Sequence, residues 1–186
     1  MFDKINTTIF SIDMNNGFAK KGSLYSDRVN ALIEPTSKFF LKAKENQIKI
    51  IGITDTHFEN CLEFLSYPPH CLLGTWESEI VDELKPFMDE ILIKNSTNAF
   101  FSVPINYVEN HNYIITGCCT DICIYQFATT LKAYLNENQI NANVIVPISL
   151  VDTFDSEGHE ADFVNNFFLN SLVSNGITVV SEIRLF

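Results

Sequence analysis

Three side chains in the sequence have types and positions that could act together in chemistry. Asp13, Lys94 and Cys123 follow short apolar runs and supply a base, a cation and a thiol. Cys123 lies one turn into an amphipathic helical pattern, where the helix dipole and free backbone N–H groups favour a thiolate and can bind an oxyanion. Taken singly, an aspartate at a strand end is often a helix cap, and such a cysteine is often a small buried apolar residue. Their combination favours nucleophilic catalysis.

A second group of polar residues has the composition of a metal site. Asp55 and His57 are followed by Glu63 and then by His70. Two imidazoles with carboxylates suit one divalent ion, zinc in the first place, with iron or manganese also compatible. The spacing leaves a second interpretation open, in which these side chains are solvated polar residues of a loop.

The elements that carry these residues alternate between short apolar runs and longer amphipathic stretches. Most of the short runs are β-branched and continuously apolar, which is typical of strands buried on both faces. The predicted strands are Thr7–Asp13, Ile48–Thr54, Glu90–Lys94, Asn112–Gly117, Asn143–Pro147 and Ile177–Ser181. Apolar residues at helical spacing predict helices between the strands. The predicted helices are Leu32–Glu45, Asp121–Asn136 and Glu160–Ser174.

This alternation predicts the fold class. We expect an α/β protein, a single-domain three-layer α/β/α fold over residues 1–186 whose sheet is mostly parallel and doubly wound. In such a sheet ligands bind beyond the carboxyl ends of the strands, which share one edge. Asp13, Asp55 and Lys94 come at predicted strand ends, so the fold would bring them together. The segment Phe58–Gly74 is too long for an ordinary connection, which is typical of functional loops.

Composition narrows the classes of function. The 186 residues include 12 Lys and Arg against 23 Asp and Glu, which gives a formal net charge of −11. An acidic chain repels a phosphate backbone, so we expect no nucleic-acid partner. The sequence has no apolar run near the roughly 20 residues that cross a bilayer and no signal-peptide pattern at its N-terminus. We therefore expect a cytoplasmic protein without a membrane partner.

The five cysteines are best explained as reduced thiols. Their number is odd and their spacing does not form a disulfide framework. Cys61 and Cys71 could be offered as ligands of a structural zinc, but the sequence has no Cys-x-x-Cys pair there. A redox function for the neighbouring Cys118 and Cys119 is a weaker interpretation, because a bridge between adjacent cysteines closes a strained ring.

Five parts of the chain form a set of motifs. They are Ile12–Phe18 with Gly22–Leu24, Asp55–His57, Tyr67–Thr75, Ile93–Phe100 and Gly117–Ile124. The set resembles the isochorismatase-like cysteine hydrolase superfamily over almost the whole chain, and more narrowly its nicotinamidase branch. Asp55–His57 and Tyr67–Thr75 are the most specific parts, since they resemble the metal loop that sets this branch apart from metal-free relatives.

The resemblance implies a role for each candidate catalytic residue. Asp13 would be the general base, Lys94 the catalytic lysine and Cys123 the nucleophile. Backbone N–H groups of Cys119 and Cys123 would hold the oxyanion. The resemblance also implies a cis peptide bond, which we expect between Cys118 and Cys119.

The resemblance further implies a small-molecule amide as substrate. Nicotinamide would be hydrolysed to nicotinate and ammonia through a thioester on the cysteine, with the pyridine ring between Phe18 and Tyr67. One divalent metal ion, most simply zinc, would bind the ring nitrogen. Its expected ligands are Asp55, His57, Glu63 and His70. We also expect a homo-oligomer.

Three positions depart from the commoner pattern of this family. Glu63 stands at the middle ligand position, which is often a histidine, and Glu59 is a nearby alternative. Tyr67 stands before the paired prolines where tryptophan is common. Ile122 precedes the nucleophile where histidine is common.

Two other functions remain open at the level of sequence. The chain could be a related cysteine hydrolase that acts on another small amide or carbamoyl compound, or a non-catalytic member that serves as a binding module. The metal loop argues against metal-free hydrolases of the first kind. The presence of Asp13, Lys94 and Cys123 argues against the second.

Overall fold

The computed structural model describes residues 6–108 and 112–183. Strands and helices alternate along the chain, as the apolar pattern predicts. The strands are β1 Thr7–Ile12, β2 Lys49–Asp55, β3 Glu90–Lys94, β4 Asn112–Cys118, β5 Val144–Pro147, β6 Val151–Asp152 and β7 Thr178–Val180. The helices are α1 Asn16–Ala19, α2 Asp27–Ala31, α3 Ile33–Glu45, α4 Tyr125–Glu137 and α5 Ala161–Ser174.

The strands form one sheet with the order β3-β2-β1-β4-β5-β7, in which β6 also pairs with β4. All described strand pairs are parallel. The chain moves outward from β1 to β3 and then returns to the other side of β1 with β4, so the order reverses between β1 and β4. The predicted parallel, doubly wound α/β sheet is confirmed.

Two apolar clusters fill the spaces between the sheet and the helix layers. Phe127 and Leu131 of α4 and Leu172 of α5 are buried in one cluster. Phe39 and Phe40 of α3 are buried in the other cluster, on the opposite face. The central strands β1 and β4 face both clusters, which explains why their sequences are apolar at nearly every position. No helix among the described residues is long and apolar enough to cross a membrane.

The predicted elements agree with the structure apart from small shifts at their ends and two larger differences. β3 alternates in exposure, and Ile91 and Ile93 are 44% and 54% exposed, so the burial on both faces that is expected for most of the strands does not extend to β3. The reason is its place at the edge of the sheet. The predicted helix Asp121–Asn136 begins instead with a π-helical turn, Thr120–Ile124, before α4. Helices α1 and α2 and strand β6 are too short to give a periodic signal.

The close contact between β1 and β4 depends on Gly117. The register of these strands places Gly117 beside Ile12, and the glycine has a φ of +112°. A Cβ atom at this position would lie 1.9 Å from the carbonyl oxygen of Ile12. Because that oxygen belongs to the backbone of a central strand, the two strands would have to separate to make room.

Replacing Gly117 with alanine is therefore expected to lower the free energy of unfolding by more than about 3 kcal/mol. Gly158 is the matched control, since its φ is +75° but a Cβ there would meet no atom within 4 Å. Gly158→Ala should cost only about 1 kcal/mol, the conformational penalty by itself. Urea unfolding curves of the two variants measure the difference, and equal losses would show that strand contact is not the constraint at Gly117.

Candidate active site

The strand register brings the three charged candidates to one edge of the sheet. Asp55 and Lys94 are paired residues at the ends of β2 and β3. Asp13 comes directly after β1, and its backbone N–H donates to the carbonyl of Ile53 at 2.9 Å. Asp13 has a φ of +54°, an uncommon conformation for a residue other than glycine, which concentrates backbone strain at the site.

Lys94 lies at the centre of the site and is only 1% exposed. Its Nζ atom is 2.7 Å from Asp55 Oδ1 and 2.9 Å from Asp13 Oδ2. The same atom is 3.8 Å from Cys123 Sγ. Burial lowers the pKa of Lys94, but the charges of Asp13, Cys123 and Asp55 outweigh burial and hold the pKa well above its usual value. Lys94 is therefore a permanent buried cation.

The base and the nucleophile differ in their charge state. Burial raises the pKa of Asp13 and Lys94 lowers it, with a net value of about 6. Asp13 can therefore be a carboxylate at neutral pH and can also accept a proton there. Burial raises the pKa of Cys123 well above that of a free thiol, even though Lys94 opposes this shift. The expectation that the start of the helix favours a resting thiolate is thus outweighed by desolvation, and the thiol proton must pass to a base.

The turn that carries Cys123 is shaped by the backbone of Cys119. The carbonyl oxygen of Cys119 accepts hydrogen bonds from the N–H groups of Ile122 and Ile124, each at 3.1 Å. The peptide bond between Cys118 and Cys119 is cis, as expected. Cys118 is buried, and its thiol contacts the carbonyl oxygen of Asp13 at 3.2 Å, so this side chain connects the end of β4 to the residue that follows β1. All five cysteines are free thiols.

The four predicted metal ligands lie together. One ligand atom from each of Asp55, His57, Glu63 and His70 is within 4.8 Å of the ligand atoms of the other three. The Nε2 atoms of the two histidines are 3.1 Å apart, and each is 2.9 Å from Asp55 Oδ2. Glu63 Oε1 is 4.0 Å from His57 Nε2. The alternative of solvated loop residues does not fit, because both histidines and Asp55 are buried.

The hydrogen bonds behind the two histidines favour a cation between them. His70 Nδ1 lies 2.7 Å from the carbonyl oxygen of Pro68, and His57 Nδ1 lies 3.0 Å from Asn95 Oδ1. Each oxygen accepts a hydrogen bond from the protonated Nδ1, so in a neutral imidazole the lone pair is on Nε2. Two such lone pairs and two carboxylates then point at one another. Four acceptors without a donor need a cation, and this donor set fits a divalent ion such as zinc.

The raised pKa of His57 also indicates that the acceptor cluster is stabilised by positive charge. Burial lowers this pKa, but the hydrogen bond to Asp55 and the charge of Asp55 outweigh burial and raise it to about 9. Burial also raises the pKa of Asp55 itself, whereas Lys94 and the two histidines lower it well below its usual range. Asp55 is therefore ionised, and a proton or a metal ion must balance its charge on the histidine side.

The structure separates the competing ligand candidates. Glu63 belongs to the cluster, whereas Glu59 is exposed and does not. Cys61 Sγ lies 3.3 Å from Nδ1 of His57, whereas the other ring nitrogen, Nε2, belongs to the cluster. Cys71 is buried away from the four ligand atoms and contacts the carbonyl oxygen of Glu77 at 3.5 Å. The described residues thus contain no cluster that uses Cys61 and Cys71 together.

A cavity of about 470 Å³ joins the catalytic group to the metal cluster. Asp13 and Cys123 of the catalytic group line it together with Asp55, Glu63 and His70 of the metal cluster. The two predicted ring-stacking residues also line this cavity. Their rings lie beside His70, with centroid distances of 5.6 Å for Phe18 and 6.3 Å for Tyr67.

Part of the cavity wall was not predicted from the sequence. This part comprises residues 25–29 and Phe154–Ser156, whereas Ser23, Leu24, Thr97 and Ile122, which also line the cavity, belong to the sequence motifs named above. These wall residues lie in loops, short helices and turns, where no apolar period marks them. Asn95, which orients His57, could have been found because it directly follows Lys94 at a strand end.

Comparison with known proteins agrees with this geometry. The family model described as the isochorismatase domain matches residues 7–176. Nicotinamidase 1 of Arabidopsis thaliana is 25% identical over an alignment of 206 positions that covers 92% of this chain and 84% of that protein.

Two solved structures have the same fold. N-carbamoylsarcosine amidase from Thermoplasma acidophilum is 20% identical, with a TM-score of 0.75 over 96% of this chain and 99% of the other. Pyrazinamidase of Pyrococcus horikoshii, solved in complex with zinc, is 20% identical, with a TM-score of 0.76 over 95% of this chain and 99% of the other.

The predicted enzyme class, a hydrolase of carbon–nitrogen amide bonds, is confirmed by the family match together with the curated relative. The predicted superfamily is confirmed as well. Because the family model spans most of the sequence, including every strand except β7, the chain belongs to the isochorismatase family.

Proposed function

We propose that this enzyme is a nicotinamidase, which hydrolyses nicotinamide to nicotinate and ammonia. The observation that carries the proposal is a single cavity that is lined by a thiol, by a base paired with the buried cation Lys94, and by three members of the four-residue acceptor cluster. An amide that also carries a ring nitrogen with a free lone pair can use both the thiol and the cluster. Phe18 and Tyr67 offer aromatic surface for the ring that joins these two groups.

The first half of the reaction acylates Cys123. Asp13 takes the thiol proton, and Sγ attacks the carboxamide carbon to form a C–S bond while the carbonyl π electrons move to oxygen. Lys94 stabilises the negative charges of Asp13 and the thiolate, since its Nζ lies near both. Asp13 then returns the proton to the amide nitrogen, the C–N bond breaks and ammonia leaves. A thioester remains on Cys123.

The second half uses the same base for hydrolysis. Water attacks the thioester carbon, and Asp13 accepts one of its protons. The C–S bond then breaks, nicotinate is released and the proton returns to the sulfur. A pKa of about 6 suits Asp13 to both roles, because it can accept and return a proton near neutral pH.

We assign the oxyanion of both tetrahedral intermediates to the backbone N–H groups of Cys119 and Cys123. The π-helical turn begins after Cys119 and contains Cys123, so both groups belong to the start of the helical segment that carries the nucleophile. The start of a helical segment presents N–H donors to negative charge. Such donors are a large source of catalysis in acyl transfer.

We assign the metal site to Asp55, His57, Glu63 and His70, with zinc as the preferred ion. A divalent ion bound there would supply a Lewis acid that accepts the lone pair of a ring nitrogen. The chain's own residues orient its ligands: Asn95 and Pro68 fix the two imidazoles, and Lys94 holds the second oxygen of Asp55.

Replacing Cys123 with alanine is expected to abolish ammonia release, because no other thiol is placed beside both Asp13 and Lys94 in the described structure. Metal content should stay near the wild-type value, since Cys123 is not among the four ligands. Cys118→Ser is the comparison variant and should keep measurable activity. An ammonia-release assay decides the matter: similar rates for Cys123→Ala and wild type would remove the covalent mechanism, and equal loss in both variants would mean that the nucleophile is misassigned.

Loss of one histidine ligand is expected to empty the metal site. His57→Ala and His70→Ala should each lower metal occupancy from about one ion per chain to a small fraction, as measured by elemental analysis of the purified protein. Glu63→Ala should lower it strongly as well. Glu59→Ala is the matched control and should keep the metal, because Glu59 is exposed and outside the cluster. Full occupancy in both histidine variants would overturn the site.

The substrate is tested by removing the ring nitrogen. Nicotinamide and pyrazinamide each carry a ring nitrogen in the position meta to the carboxamide group. The enzyme should therefore hydrolyse both. Benzamide keeps the amide and the aromatic ring but loses the second anchor, and its kcat/KM should be roughly a hundredfold lower, the cost of misplacing a reacting carbon by about 1 Å. Equal kcat/KM for benzamide and nicotinamide would favour a broader amide or carbamoyl hydrolase.

A further inference from the structure

His159 makes a second polar network beside the active site, on the segment between β6 and α5. Its Nε2 atom is 2.9 Å from Asp121 Oδ2, and its Nδ1 atom is 2.8 Å from the carbonyl oxygen of Phe154. None of the three residues belongs to the catalytic group or the metal cluster. Two of them are nevertheless close to the proposed reaction site. Asp121 lies in the same turn as Cys123, and Phe154 lines the cavity.

The two contacts of His159 require two protons on its ring. A carbonyl oxygen can only accept a hydrogen bond, so Nδ1 carries a proton. A carboxylate such as that of Asp121 also accepts, so this contact places a proton on Nε2 too. An imidazole with protons on both nitrogens is an imidazolium. The observed geometry is therefore that of a charged His159, and a neutral ring would satisfy only one of the two contacts.

Asp121 links this charge to the nucleophile. Asp121 lies two residues before Cys123 in the π-helical turn Thr120–Ile124. Its Oδ1 atom accepts a hydrogen bond from the hydroxyl of Thr153 at 2.5 Å, and Thr153 is fully buried. The carboxylate is thus held from two sides by the segment that follows β6. A shift of that segment would move the turn that positions the thiol.

Phe154 links the same charge to the substrate cavity. Its ring stacks on the ring of His159, with a centroid distance of 4.1 Å and an angle of 2° between the planes. A cation over an aromatic face is attracted by the ring, so a charged His159 also fixes the orientation of Phe154. Phe154 lines the cavity. One side chain therefore holds both the nucleophile turn and part of the substrate-facing wall.

We propose that His159 is a positioning residue. Its imidazolium holds the nucleophile turn against the cavity wall through the hydrogen bond to Asp121 and the stacking on Phe154, and these contacts are weakened when His159 loses a proton. The inference adds to the proposed function and uses amide hydrolysis as one of its readouts. It predicts a fall in activity on the alkaline side that belongs to a group outside the catalytic and metal-binding residues.

The charges around His159 give the direction of its titration. Burial lowers the pKa of His159, but the hydrogen bond and charge of Asp121 and the carbonyl of Phe154 outweigh burial and raise it. The other charged groups of the elements packed here are Arg28 of α2 with the three carboxylates that it pairs with, Asp152, Asp155 and Asp162, and the exposed Glu157 and Glu160 beside His159. The carboxylates outnumber Arg28, so the surroundings favour a positive charge on His159, and Asp121 is its direct partner. The contacts of the His159 imidazolium are therefore present below the usual pKa of histidine. They are lost as the pH rises through the raised pKa of His159 in the folded protein.

The first arm of the test needs no substrate. NMR titration of the four histidines of wild type, His159→Gln and Asp121→Asn identifies the His159 resonance by its absence from the glutamine variant. We expect its pKa to lie above that of an unperturbed histidine in wild type and to fall in Asp121→Asn. A pKa at or below the unperturbed value in wild type would overturn the proposal.

The second arm measures kcat and KM against pH, with whichever amide of a small panel the enzyme hydrolyses fastest. His159→Ala should lower kcat/KM by about tenfold or more at neutral pH, through both kcat and KM. His159→Gln can still donate to Asp121, so it should recover most of this loss, and it should lack the alkaline step that wild type shows at the pKa found by NMR. Glu157→Gln, an exposed neighbour, is the control and should match wild type.

The outcomes separate this inference from the proposed substrate. Failure to hydrolyse nicotinamide, with another amide turned over, would overturn the substrate and still test His159. A His159→Ala variant with wild-type kcat, KM and pH profile would overturn the positioning role even if nicotinamide is the substrate. An alkaline step that persists unchanged in His159→Gln would likewise overturn it, because the titrating group would then be another one.

Discussion

The buried ammonium of Lys94 is the interaction on which the rest of the site depends. It lies between Asp13 and Asp55, at 2.9 and 2.7 Å, with the sulfur of Cys123 nearby. Two carboxylates could not both stay ionised in this buried place without a cation between them. Removing one partner of a buried ion pair commonly costs about 3–5 kcal/mol, because the other charge is left without compensation. The base and the metal cluster are thus stable only together with this lysine.

Asp55 makes the metal cluster depend on Lys94 as well. One of its oxygens contacts Lys94, and the other contacts both His57 and His70. The lysine lowers the pKa of Asp55, which keeps that second oxygen negative and available to a cation. The catalytic group and the metal cluster are therefore two sides of one charge network. This arrangement places a thiol, a base and an acceptor cluster within one small cavity.

The sequence predicts well those features that follow from a repeating pattern or from a strand end. The apolar runs predict β1, β2 and their parallel neighbours, and the polar residues that directly follow them predict Asp13, Asp55 and Lys94 as one group. Features set by long-range contacts are not predicted. The exposure of β3 depends on its place at the edge, and the choice of Glu63 over Glu59 depends on how the long loop folds back. Phe154 and His159 lie in a connection without any period, and only the folded chain places them beside the nucleophile turn.

The strand order itself explains the order of chemical groups along the site. Across the sheet, in the strand order β3-β2-β1-β4, the groups at the strand ends are Lys94, Asp55, Asp13 and then the turn that carries Cys123. The sheet reverses its winding between β1 and β4, and a crevice opens where connections leave in opposite directions. Asp13 and Cys123 flank this point, so the base and the nucleophile face each other across the crevice. Strands β2 and β3, on the side of β1 away from β4, place the metal ligand Asp55 and the cation Lys94 next to the base. The strand order therefore sets Cys123 and the acceptor cluster on opposite sides of Asp13 along the edge of the sheet, and the proposed ring carboxamide would use this separation, with its amide at the thiol and its ring nitrogen at the cluster.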